Sequence, residues 1–115
     1  MSDAQCLFQS NSLLASVNRI YYAMFYSVTA LLLTVNLSSP KHSGIKALFN
    51  KEFVNKGLVD KDSGRFYSEM FERRQKGDYK DFTEFAKGDV EMWLHKAQEF
   101  LHKIESISLK RPNSF

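Results

Sequence analysis

Arg73, Arg74, Asp78 and Tyr79 fall within one seven-residue stretch, Arg73-Arg74-Gln75-Lys76-Gly77-Asp78-Tyr79. Two guanidinium groups near the end of a charged helical segment offer planar donors that match phosphate oxygens, and the helix dipole favours cations at that end. A carboxylate and a phenol follow after the glycine. The chemistry this suggests is the holding of a nucleotide or an RNA backbone, with Arg74, Asp78 and Tyr79 as the candidate catalytic set and Arg73 as a binding residue. The competing reading is structural: Arg73 and Arg74 cap carbonyls or pair with Glu72, Asp78 or Glu84.

Phase separates the arginines. With Phe66, Tyr67, Met70 and Phe71 on one helix face, Arg74 falls within about 10° of the centre of that face, Arg73 about 90° to one side and Arg65 nearly opposite. Arg74 is therefore expected toward the packed side, where a guanidinium needs a partner, and Arg65 in solvent. Arg19 and Tyr22, three residues apart in Asn18-Arg19-Ile20-Tyr21-Tyr22, share a face and are candidate binding residues or a polar anchor inside the protein. His42, in the Lys-His-Ser-Gly stretch after Pro40, is a further binding candidate that folding could bring to the cluster. His95 and His102 are two turns apart, roughly 10 Å, too far to share a metal directly, and read as solvated. No metal site and no cofactor site are expected.

The elements that must position these groups are helical. Leu13 to Val35 carries one charge and neither glycine nor proline, and predicts a central helix capped by Ser12. Asn36 to Pro40 is a break. A shorter helix follows over about Ser43 to Phe53, with Ile45, Leu48, Phe49 and Phe53 inward and Asn55 with Gly57 at its end. Asp62 to Lys76 is next, stopped by Gly77. A last amphipathic helix reaches Ile107, its stripe made of Val90, Trp93, Leu94, Ala97, Leu101 and Ile104. No alternating strand pattern, internal repeat or long heptad run is present. The expectation is an all-α, antiparallel up-and-down bundle of four to five helices, one domain over 1–109 with a flexible basic tail at 110–115.

Composition bounds the rest. At 115 residues with 43% hydrophobic and 14% aromatic content, the chain can bury one core. The net charge of +3 hides an asymmetry, since up to Pro40 only Asp3 and Arg19 are charged. The single cysteine, Cys6, excludes an intrachain disulfide and points to a reducing, cytoplasmic setting. Met1 to Ser12 lacks the basic start of a cleavable signal. The uncharged run after Arg19 is shorter than the roughly 20 residues that cross a bilayer, so no membrane span is expected. Nucleotide-binding loops, zinc-protease motifs and nucleophile elbows are absent, which removes support for phosphoryl, hydride and acyl transfer.

The ordered blocks NRIYYAMFYSVTALL, KHSGIKALFNKEFVNKGL, ERRQKGDYKDF and KAQEFLHKIES resemble the HEPN domains of bacteria and archaea, in the subgroup with YYA and R-x-x-G-D-Y motifs, over about Ala4 to Ile107. The resemblance implies a helical bundle, often dimeric. Many members are metal-independent ribonucleases of toxin-antitoxin, abortive-infection and CRISPR-linked systems, encoded beside a minimal nucleotidyltransferase that serves as antitoxin. Active members pair an arginine with a histidine four to six residues on. Here Arg73 or Arg74 matches the arginine, but Gly77-Asp78-Tyr79 stands where the histidine would be. Histidine exchanges a proton near neutral pH without tuning, and tyrosine, ordinarily near pKa 10, does not. The subgroup also opens with a long first helix, whereas only about Asp3 to Gln9 precedes the Ser10-Asn11-Ser12 turn here. The exposed flank of the Leu13 to Val35 helix then favours a homodimer.

Three functional readings follow. The first is a module that binds RNA, a nucleotide or a nucleotidyltransferase partner through Arg19, Arg73, Arg74, Asp78 and Tyr79. The second is a ribonuclease toxin in which Arg74 stabilises the scissile phosphate while Tyr79, Asp78 or His42 handles the proton. The third is a protein-interaction bundle in which internal carboxylates satisfy both arginines.

Overall fold

The computed structural model describes residues 13–79 and 87–109, with the side chains of 15–74 and 87–109. Four helices are present, α1 (Leu13–Leu33), α2 (His42–Phe49), α3 (Lys61–Tyr79) and α4 (Lys87–Leu109), and no strand occurs among the described residues. The architecture is the expected all-α bundle, with α1 as the central member against which α2, α3 and α4 all pack. The short first segment, the Ser12 cap and the basic tail lie outside the described residues.

The reason α1 is central lies in its sequence. Val17, Ile20, Tyr21, Met24, Val28, Leu31 and Leu32 recur at three- and four-residue intervals and are fully buried. The helix ends two residues before Val35. There Asn36 takes the left-handed conformation, at φ 62°, and the Leu37 N–H returns to the Leu32 carbonyl at 3.0 Å. Asparagine is among the few residues besides glycine that adopt this conformation readily, and the bond satisfies a carbonyl at the helix end.

After the break α2 begins at His42 and passes directly into a π-helical turn, Asn50–Val54, closed by the Asn55 N–H on the Asn50 carbonyl at 2.8 Å. Ile45, Phe49 and Phe53 are buried, and Leu48 is packed at the margin of the core. Gly57, at φ 80°, makes the turn out of this element, where a side chain would be strained. The wider π-helical turn sets Val54 and Asn50 against α3 at Gly64. A Cβ there would lie 2.7 Å from Val54 Cγ2 and 3.4 Å from Asn50 Oδ1, so the crossing requires glycine.

Asp60 caps α3. Its carboxylate accepts from the Ser63 N–H at 3.0 Å and from the Ser63 hydroxyl at 2.7 Å, and Lys103 of α4 adds a contact at 3.3 Å. Phe66, Tyr67, Met70 and Phe71 form the buried face, as the phasing requires. Gly77 does not stop the helix, which continues to Tyr79. An interior glycine costs only about 1 kcal/mol relative to alanine, too little to break a helix held by its packed face. On α4 the stripe is Val90, Trp93, Leu94, Ala97, Phe100 and Ile104, so Phe100 rather than Leu101 fills the core, and the helix runs on to Leu109. Phe100 stacks on Tyr67 with ring centres 5.9 Å apart, an aromatic contact that the smaller Leu101 could not supply.

Candidate functional site

The groups that converge come from α1, from the first turn of α2 and from the last part of α3. Arg74 does face the packed side. Its Nη2 donates to the Tyr22 hydroxyl at 2.7 Å, and the guanidinium carbon lies 5.2 Å from the Tyr22 ring centre and 5.8 Å from that of Tyr21. One cation is thus held by a phenol and two π faces.

His42 completes the group. Because it opens α2 immediately after the break, its ring folds back on α1 and stacks on Phe25, with centres 4.1 Å apart and planes 17° apart. It meets the Tyr22 ring edge-on at 5.7 Å, and its Nδ1 lies 3.1 Å from the Tyr21 hydroxyl. Burial, and after it the positive charge of Arg74, hold the imidazole below the usual histidine pKa. Near neutral pH the ring is therefore an uncharged donor and acceptor beside a fixed cation.

Behind these groups two phenols, those of Tyr21 and Tyr67, are fully buried. Burial pushes the Tyr21 phenol up to about 12, against smaller lowering influences from Tyr67 and Arg74. Tyr67, stacked on Tyr21 at 6.1 Å with nearly parallel planes, is raised further by burial and by the Tyr21 phenol alongside. The two hydroxyls are neighbours, yet that of Tyr67 lies outside hydrogen-bond geometry with any described group. Both phenols keep their protons through the physiological range, so neither is a general base.

The remaining sequence candidates separate. Arg73, to the side as expected, lies 4.4 Å over the Trp93 ring and 3.7 Å from Glu69, tying α3 to α4. Arg65 is exposed beside Asp62 at 3.6 Å. Arg19 is exposed on α1, one turn before Tyr22. Asp78 and Tyr79 occupy the last turn of α3, and their side chains lie outside the described residues. His95 and His102 are exposed on α4. Among the described residues no three His, Cys, Asp or Glu side chains are placed to hold a metal, and no helix is long and apolar enough to cross a membrane.

Sequence reasoning missed Tyr21, Phe25 and Tyr26. The signal was present, since Tyr22, Phe25 and Tyr26 stand at i, i+3 and i+4, the spacing that puts rings side by side on a helix. That spacing by itself gives no sign that His42 joins them.

Comparison with known proteins agrees with this helical arrangement. The HEPN domain family matches residues 1–107, and the chain belongs to that family. A UPF0332 protein of Thermotoga maritima is 50% identical over 113 residues, covering 96% of this chain and 86% of that protein. Two Methanocaldococcus jannaschii proteins carry the name "putative toxin". One is 38% identical over 96 residues, covering 84% of this chain and 65% of its own length. The other is 34% identical over 105 residues, covering 91% and 78%.

Proposed function

We propose that this HEPN domain binds RNA, with Arg74 as the anchor for a backbone phosphate, as part of a toxin-antitoxin or defence system that includes a nucleotidyltransferase partner. The observation that carries this is the meeting of Arg74, Tyr22 and His42, a cation with a neutral hydrogen-bonding imidazole and a phenol beside it, none of them acidic. Such a set suits an anionic oxygen, which the guanidinium attracts and the neighbours orient. The system context rests on the toxin names of the two archaeal relatives. Titrating a labelled single-stranded RNA at fixed low salt tests the reading. Arg74→Ala is expected to weaken binding tenfold or more, and unchanged affinity in that variant would refute it.

A second reading, cleavage of the bound RNA, is favoured by one observation: the His42 ring meets edge-on the Tyr22 ring whose hydroxyl Arg74 holds. In that scheme Nδ1–H donates to the Tyr21 oxygen and leaves Nε2 as the base. Nε2 takes the proton of the ribose 2′-hydroxyl, the 2′-oxygen bonds to phosphorus, and the P–O5′ bond breaks with water protonating the leaving oxygen. Arg74 balances the charge that gathers on the phosphoryl oxygens. The products are a 2′,3′-cyclic phosphate and a 5′-hydroxyl end, formed with chelator present. Intact RNA after prolonged incubation with the purified protein would dismiss cleavage while leaving binding to stand.

A further inference from the structure

Tyr26 is the one aromatic among the large hydrophobic side chains left open to solvent in the described residues, at 64% exposure. It is nevertheless supported. Its ring centre lies 5.6 Å from that of Phe25 and 6.0 Å from that of Tyr22. Phe25 is in turn stacked on His42, and Tyr22 is bonded to Arg74. An exposed ring buttressed in this way presents a preformed flat face and loses little freedom when something stacks on it. The guanidinium and the open ring share Tyr22 as a neighbour. Arg19 stands two turns before Tyr26 on the same exposed side of α1, about 10 Å along the helix axis.

We propose that Tyr26 is a stacking subsite for a nucleobase of single-stranded RNA whose adjoining phosphate lies on Arg74. The proposal rests on the RNA-binding reading of the Arg74 site and adds to it the form of the ligand. Bases in a duplex have both faces covered, so an open ring beside a phosphate anchor selects unpaired nucleotides. A stacking face also tolerates any base, so the subsite confers preference for single strands rather than for a sequence. The surroundings favour a polyanion that carries bases over an acidic or apolar protein segment, because Tyr21, Tyr22, Phe25, His42 and Arg74 combine π faces with a cation.

The test compares two probes at one salt concentration: a short single-stranded oligoribonucleotide, and the same backbone made abasic throughout. Tyr26→Ala is expected to weaken the base-bearing probe roughly tenfold and leave the abasic probe unchanged, with Tyr26→Trp restoring the affinity. Arg74→Ala weakens both. Equal binding of the base-bearing probe by Tyr26→Ala and the parent protein overturns the subsite and leaves the Arg74 anchor in place. Parallel loss of both probes in Tyr26→Ala, with a change in oligomeric state by light scattering, assigns Tyr26 to contact between copies and also overturns the subsite. Failure of the parent protein to bind either probe removes the RNA-binding reading itself.

Discussion

The Arg74 guanidinium donates to the Tyr22 hydroxyl at 2.7 Å, joining residues 52 positions apart in the chain. It fixes the last part of α3 against the side of α1 on which Tyr22 contacts Phe25, Tyr26 and His42. The bond is short and its donor is charged, so it ranks among the stronger contacts of its kind. Tyr22→Phe is expected to cost about 1 kcal/mol in urea unfolding. It should also lower RNA affinity less than Arg74→Ala does. A double-mutant cycle between the two should give a coupling of at least about 0.5 kcal/mol, and a zero coupling would mean that the two groups act separately.

His42 supplies a pH dependence with a definite sign. Its folded-state pKa is lowered from the ordinary 6.5, so the unfolded chain takes up the proton more readily. Stability from this group is complete above the unfolded value and is lost as pH falls through 6.5 toward the folded value. Urea midpoints measured between pH 8 and pH 5 should decline across that window in the parent protein and decline less in His42→Gln. Cleavage that uses His42 as the base should persist below 6.5 and fade only as pH falls through the lowered folded-state value.

Gly64 is where α3 crosses the π-helical turn. Since an added Cβ would meet Val54 Cγ2 at 2.7 Å and Cγ1 at 3.0 Å, and a branched side chain cannot rotate both carbons away, Gly64→Ala should destabilise by about 1–3 kcal/mol despite the better helix propensity of alanine. Trimming the obstacle in Gly64→Ala/Val54→Ala should recover part of the loss. A melting temperature unchanged in the single variant would show that the π-helical turn and α3 separate without cost.

Asp60 holds the start of α3 and the flank of α4 together. Asp60→Ala should cost about 1 kcal/mol through the lost cap, with Asp60→Asn retaining most of the stability. The Ser63 hydroxyl first, and after it the Ser63 N–H and Lys103, keep the Asp60 carboxyl below the usual aspartate pKa despite partial burial. Its contribution is present above the ordinary carboxylate range and disappears as pH falls through the lowered value. Acid unfolding curves of the parent and Asp60→Ala should therefore converge at low pH.

The phase of α3 was legible because burial of Phe66, Tyr67, Met70 and Phe71 leaves a helix no other orientation, and Arg74 is carried inward with them. Arg73 was placed to the side by the same arithmetic, but its seat over Trp93 was not, since that depends on where α4 lies. The end at Gly77 was misread because a local propensity of about 1 kcal/mol was weighed without the packing that overrides it. Leu101 was put in the stripe that Phe100 occupies because both fit an amphipathic period, and the facing rings of Tyr67 and Phe49 decide between them.

The sequence alone determined the helical class, the central place of α1 and the inward face of Arg74, because each follows from the period of apolar residues along one segment. Which groups Arg74 would meet was decided by tertiary structure. Tyr22 lies 52 residues before Arg74 and His42 lies 20 residues after Tyr22, and no local spacing relates the three. They come together because α1 is buried on several sides at once, so that the break after Asn36 returns α2 onto the same face that α3 covers. That closure places a neutral imidazole beside the guanidinium in a chain whose arginine motif has no histidine of its own.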